Sequence, residues 1–175
     1  QTVNQATQTI ERSSGHKLLY HKSVPLLELD ADFSNVNQRF GSNEKTVAVI
    51  ASHDFNQLAK LQGKDDHLKL VGNEAAALEP SYVEGISPAY TGASITLQCK
   101  GMNETIRFKT LKKYSVLNMD TVYSTLVVSD DMFSALQSKA KIITAEAYGI
   151  THQDKAKALT KQLTEMLPEE AEFSS

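Results

Sequence analysis

Twice in this chain a run of β-favouring residues reaches a serine and changes at once to helical spacing. In TVAVIASHDFNQLAKLQGK (46–64) the run ends at Ser52, Phe55, Leu58 and Leu61 follow three apart, and Gly63 stops the pattern. In STLVVSDDMFSALQSK (124–139) the same order recurs with Ser129, Phe133 and Leu136. A side-chain period of two that becomes a period near 3.6 within a few residues marks a strand followed by a helix. Both serines are placed as helix N-caps. The helix offset differs by one residue between the copies, so the internal symmetry is weak.

The remaining text supplies more strands. SITLQCKGMNETIRFKTL alternates through Ile95, Leu97 and Cys99, turns near Gly101 to Asn103, and alternates again through Ile106 and Phe108, which is a β-hairpin pattern. HKLLYHKSVPLLELDAD (16–32) reads as an extended edge strand, because Pro25 cannot donate to a central ladder. Val3, Ala6 and Ile10 suit a short amphipathic helix over 1–12, ended by Ser13-Ser14-Gly15. A final strand KIITAEAYGI leads to Thr151, read as the cap of a helix carrying Ala156, Leu159, Leu163 and Met166 until Pro168. The stretch from Phe33 to Lys45 reads as a loop, and residues 73–94, broken by Pro80, Gly85, Pro88 and Gly92, as a variable loop region. These elements predict an α+β fold: a mixed, mostly antiparallel sheet with helices packed on it, two strand-helix units and a β-hairpin.

A length of 175 residues with 41% hydrophobic content fits a single domain spanning 1–175. The net charge of -3 gives no basic field for a phosphate backbone, so nucleic acid is excluded as a partner. With one cysteine, Cys99, there is no internal disulfide and no cysteine-rich zinc site. No stretch approaches the roughly 20 apolar residues that cross a bilayer. Both termini are polar and helix-like, as if cut from a longer chain.

No motif for chemistry emerges. There is no G-x-S-x-G, no G-x-x-x-x-G-K-[ST] and no G-x-G-x-x-G. Ser52 and His53 are adjacent at a helix start and do not face each other, which leaves a capping serine beside a solvated histidine. Cys99 falls on the apolar face of a strand, where a buried structural thiol is expected. His16 and His21 are spaced to point to opposite faces, while His67 and His152 are isolated. Asp130-Asp131 opens a helix, where negative charge suits the dipole. No residue is read as catalytic, cofactor-binding or metal-ligating. Glu74, Glu79 and Glu84, with Tyr82 and Tyr90 beside them, suit a cationic amphipathic peptide, and Glu79, Tyr82, Glu84 and Tyr90 form the candidate ligand-binding set.

The block YSTLVVSDDMFSALQSKAKIITAEAYGITHQDKAKALTKQL resembles the end of the large extracellular domain of BceB-like permeases in the FtsX family of ABC transporters, VraG-like and bacitracin-resistance permeases among them. What carries the resemblance is a Val-rich strand, Ser-Asp-Asp with an aromatic and a leucine downstream, a strand ending in Tyr148-Gly149-Ile150, and a polar start to an Ala- and Leu-rich helix. HKLLYHKSVPLLELD, TVAVIASHDF and ITLQCKGMNETIRFKTL are similar in order to earlier parts of that domain, so most of the chain is covered.

The resemblance implies an extracellular domain inserted between two membrane spans, on the outer side of a Gram-positive cell membrane, with residues near Thr2 and Ser174 on one side. It implies detection of, and resistance to, antimicrobial peptides such as bacitracin, lantibiotics or cationic peptides, alone or bound to a lipid. The implied partners are a separate ATPase subunit, which binds the ATP, and an intramembrane-sensing histidine kinase. It implies no cofactor and no enzymatic activity in this domain. The alternatives are a structural coupling domain of an FtsX- or MacB-like permease that contacts an accessory protein and, more remotely, a small intracellular enzyme with an unrecognised site.

Overall fold

Six strands of this protein close into a ring. In the computed structural model, which describes residues 2–12, 17–34, 44–65, 67–78, 91–112, 116–117 and 124–150, the elements run α1 (Thr2–Arg12), β1 (Leu18–Asp32), β2 (Glu44–Ala51), α2 (Ser52–Leu61), β3 (Glu74–Leu78), β4 (Ser94–Cys99), β5 (Met102–Lys112), β6 (Ser124–Val128), α3 (Asp130–Gln137) and β7 (Lys141–Ile150). The sheet order is β2-β6-β3-β5-β4-β1-β7, and β1 also pairs with β2. The ring is therefore β1-β2-β6-β3-β5-β4 and back to β1, with β7 attached beside β1. β2–β6 and β3–β5 are parallel, while β1–β2, β1–β4, β3–β6 and β4–β5 are antiparallel. The α+β class with a mixed, mostly antiparallel sheet is what the sequence led us to expect.

The chain forms two compact units, Val24–Val116 with Val122–Ala145, and Gln1–Ser23 with Leu117–Thr121 and Glu146–Ser175. The ring belongs to the first of these. Alternate residues fill its interior: Leu27, Leu29 and Ala31 on β1, Val47 and Val49 on β2, Ala75 and Ala77 on β3, Ile95 and Leu97 on β4, Ile106 and Phe108 on β5, Leu126 and Val128 on β6. Period-two patterning around a closed sheet places one face of every strand in a common core. α3 follows β6 and adds Phe133 and Leu136 to that core. The outward residues Ala48, Ile50 and Val127 are also buried, and α2, with Phe55, Leu58 and Ala59 buried, packs on β2 and β6. Asn56 holds the following segment to α2, donating to the Leu68 carbonyl at 2.9 Å and accepting from the Leu68 amide at 2.7 Å.

The second unit is smaller. Ala6 and Ile10 of α1 meet Ile150 in a separate apolar cluster, with Leu18 and Tyr148 packed against it. These are the positions at which the amphipathic spacing of 1–12 turns toward one face.

Three expectations are corrected. β1 is not an edge strand: it lies between β4 and β7 and pairs with β2 as well. Registered pairing with β2 begins at Leu27 and with β4 at Asp30, past Pro25, so neither of those ladders calls on the amide hydrogen that proline lacks. Residues 73–94 are not all loop, since Glu74–Leu78 forms β3, buried from Ala75 to Leu78 between β5 and β6. The third concerns Ser52. α2 begins at Ser52 itself, its N-cap position is Ala51, and no side chain of that residue caps it. Ser129 does cap α3, accepting from the Met132 amide at 3.1 Å. The helix read from Thr151 lies outside the described residues.

Candidate functional site

β2 and β6 are parallel and in register, Ala51 beside Val128, so the residues that follow them emerge side by side. Ser52, His53 and Asp54 come from one strand end, and Ser129, Asp130 and Asp131 from the other. One oxygen, Asp130 Oδ1, gathers three partners from the start of α2. It lies 3.2 Å from Ser52 Oγ, which donates to it, 3.1 Å from the His53 amide nitrogen, and 2.9 Å from His53 Nδ1. The other ring nitrogen, His53 Nε2, is 3.3 Å from Oδ1 of Asp54, a carboxylate that is almost wholly buried.

This arrangement explains why α2 needs no cap of its own. The amides of a helix's first turn lack intrahelical acceptors, and a carboxylate there is favoured by both hydrogen bonding and the helix dipole. Here the acceptor is Asp130, the first residue of α3, which follows the neighbouring strand β6. His53 is exposed yet bound between two carboxylates rather than solvated alone, which corrects the expectation for it. Because the Ser52 hydroxyl is given to Asp130, His53 does not stand as its base, and the serine, histidine and aspartates do not form a relay for nucleophilic attack.

Desolvation pushes the Asp130 carboxyl up, but the hydrogen bonds from the His53 side chain and amide, the charge of His53 and the Ser52 hydroxyl together hold it below the usual carboxylate range. A carboxyl lowered on folding contributes stability that is present above its unfolded pKa and is lost as pH falls through the folded value. We therefore expect the stability advantage of the wild type over Asp130→Asn to be largest above pH ~5 and to shrink below pH ~4. Denaturant titrations across that range check it. A constant gap between the two proteins would show that the charge of Asp130 contributes nothing.

Glu79, Tyr82, Glu84 and Tyr90 lie outside the described residues, so the peptide-binding set keeps the standing the sequence gave it. Cys99 is half-buried on β4, packed against the barrel core, and burial pushes its thiol up, which favours the unreactive protonated form. His67 is exposed, and His16 and His152 lie outside the described residues. His21 was read only as half of a mismatched histidine pair, but its imidazole in fact meets Glu146, 125 residues away. Among the described residues no three His, Cys, Asp or Glu side chains are placed to hold a metal ion, and no helix is long and apolar enough to cross a membrane.

No family model matches the chain, and no curated protein matches it. Among solved structures, the extracellular domain of the noncanonic ABC-type transporter YknZ from Gram-positive bacteria is similar with a TM-score of 0.36 and 10% sequence identity, over 93% of this chain and 80% of that chain. A TM-score of 0.36 is too low for that likeness to establish a shared fold.

Proposed function

We propose that this protein is an extracellular domain of an ABC transporter permease, and that it recognises antimicrobial peptides, either free or bound to a lipid carrier. The observation that carries the reading is the sequence resemblance to BceB-like permeases. Inside the described residues, the block that bears this resemblance folds as one uninterrupted succession, β6, the Ser129 cap, α3 and β7. A barrel scaffold suits a receptor, because ligand choice usually resides in the segments that a scaffold holds. The sequence between β3 and β4 contains Glu79, Tyr82, Glu84 and Tyr90. On this reading ATP is bound and hydrolysed by a separate subunit, a sensing histidine kinase is a further partner, and the domain itself needs no cofactor.

Two measurements test the reading at its two levels. Hydropathy of the parent reading frame on both sides of this segment is expected to show apolar spans of about 20 residues. A parent that starts near Gln1 and stops near Ser175 would overturn the permease assignment. For recognition, titration with a cationic lantibiotic is expected to give affinity that falls with salt, and Glu79→Gln with Glu84→Gln should weaken it several-fold, about 0.5 kcal/mol for each charge removed. Equal affinity for wild type and the double variant would remove the acidic set from the site. No binding by either would favour a domain that couples the permease to an accessory protein.

A further inference from the structure

His21, on β1, lies flat against Tyr148, on β7, with ring centroids 4.6 Å apart and planes 5° from parallel. Its Nε2 is 2.6 Å from Glu146 Oε2, and Ser23 Oγ donates to the same oxygen at 2.5 Å. An ionised carboxylate only accepts, so His21 Nε2 carries the hydrogen in this bond. Tyr148 in turn reaches α1. Its hydroxyl donates to the Val3 carbonyl at 3.4 Å, and its ring packs on the cluster built by Ala6, Ile10 and Ile150. Burial pushes the Tyr148 hydroxyl up, so it keeps its proton and stays a donor.

We propose that His21, Glu146 and Tyr148 form a proton-dependent latch that fastens α1 to the paired segments Leu18–Ser23 and Glu146–Ile150. With His21 charged, the bond to Glu146 is charge-assisted and the imidazolium faces the π-cloud of Tyr148. When the proton leaves Nδ1, the Nε2–H bond to the ionised Glu146 persists but is no longer an ion pair, and the cation–π attraction is lost. Tyr148 is then held less firmly, and with it the first turn of α1. Histidine is the side chain that makes this change between pH 5 and 8. Among the described residues of this unit, Lys22 follows His21 on β1 and so sits on the opposite side of the strand, Lys17 lies four residues before His21, Arg12 closes α1, and Glu146 and Tyr148 contact the imidazole. The device is independent of the peptide-recognition reading: it concerns the helix at the start of the chain, whatever the barrel binds.

Hydrogen exchange of the full chain tests it, with α1 amides compared against barrel amides and corrected for intrinsic rates. From pH ~5.5 to pH ~8 the α1 opening constant of the wild type is expected to rise about 2- to 5-fold, the size an exposed pair commands. In His21→Gln it is expected to stay at the wild-type high-pH level throughout, and in Glu146→Gln, where only the imidazolium–Tyr148 attraction is left, to change with pH by less than in the wild type, while barrel amides match the wild type and show that both variants are folded. His21→Lys keeps a charge across this range and should hold the low-pH level at both ends. An α1 opening constant in the wild type that does not change with pH overturns the latch. So does an equal change in the wild type and Glu146→Gln.

Discussion

Phe108→Ala is expected to destabilise the barrel unit by about 3–5 kcal/mol, the range for emptying a fully buried aromatic position. Phe108 is 1% exposed and points into the ring, opposite Ala75 on the adjacent parallel strand β3. The small residues Ala75 and Ala77 on β3 leave the volume that this ring fills, and close-packed interiors collapse only partly around a missing side chain. The backbone is not the cause of the loss. Phe108 N donates to the Ala93 carbonyl at 2.9 Å, its own carbonyl accepts from Gly92 N at 2.8 Å, and alanine retains both bonds. Denaturant unfolding should therefore show Phe108→Leu, which empties only part of that space, losing less stability than Phe108→Ala. Leu19→Ala, at a position 58% exposed, should change stability by no more than about 0.5 kcal/mol. Equal losses for Phe108→Ala and Leu19→Ala would contradict a barrel interior packed by Phe108.

The same residue shows how far the sequence could be read. Ile106 and Phe108 alternate cleanly, as do Ile95 and Leu97, and a two-residue turn at Lys100-Gly101, with Gly101 at φ +73°, joins the two strands. Local pairing of this kind leaves a pattern in the text because both partners lie within one short window. Ring closure leaves none. β3 reads Glu-Ala-Ala-Ala-Leu, poor in β-branched residues and followed by Pro80, and it becomes a strand because β5 and β6 flank it. Its apolar run without alternation reflects burial on both faces, which periodicity alone does not separate from other structure.

The two serines make the same point at the candidate site. Ser52-His53-Asp54 and Ser129-Asp130-Asp131 look alike, yet Ser129 caps its helix while Ser52 is the first residue inside its own. The difference arises because Asp130, 77 residues after His53, supplies the acceptor that α2 needs. His21 with Glu146 and Tyr148 is the other case: three ordinary residue types become a stacked, hydrogen-bonded set only when β7 is placed beside β1. The distance along the chain, not the chemistry of the residues, hides such sites.

Gly149 carries the largest single constraint in the smaller unit. A Cβ at this buried position would fall inside the Tyr20 ring, 2.8 Å from Cζ and nearer still to Cδ1 and Cε1. Glycine within a strand weakens it unless another group uses the space, and here the Tyr20 ring covers the bare backbone of the facing strand. Gly149→Ala is therefore expected to cost about 1–3 kcal/mol by overpacking, with Tyr20 displaced from its place. Tyr20→Ala on its own removes the cover and should also destabilise. In the double variant the methyl group no longer meets the ring, so the second substitution should cost far less than it does alone. A double-mutant cycle on denaturant unfolding measures that coupling, and contacting residues typically give about 0.5–3 kcal/mol. If Gly149→Ala costs the same in the wild type as in the Tyr20→Ala variant, the close approach does not govern this position. A coupling of the expected size would instead tie the Tyr148-Gly149-Ile150 ending of β7 to one physical need: Tyr148 for the imidazole of His21, Ile150 for α1, and a bare backbone between them for Tyr20.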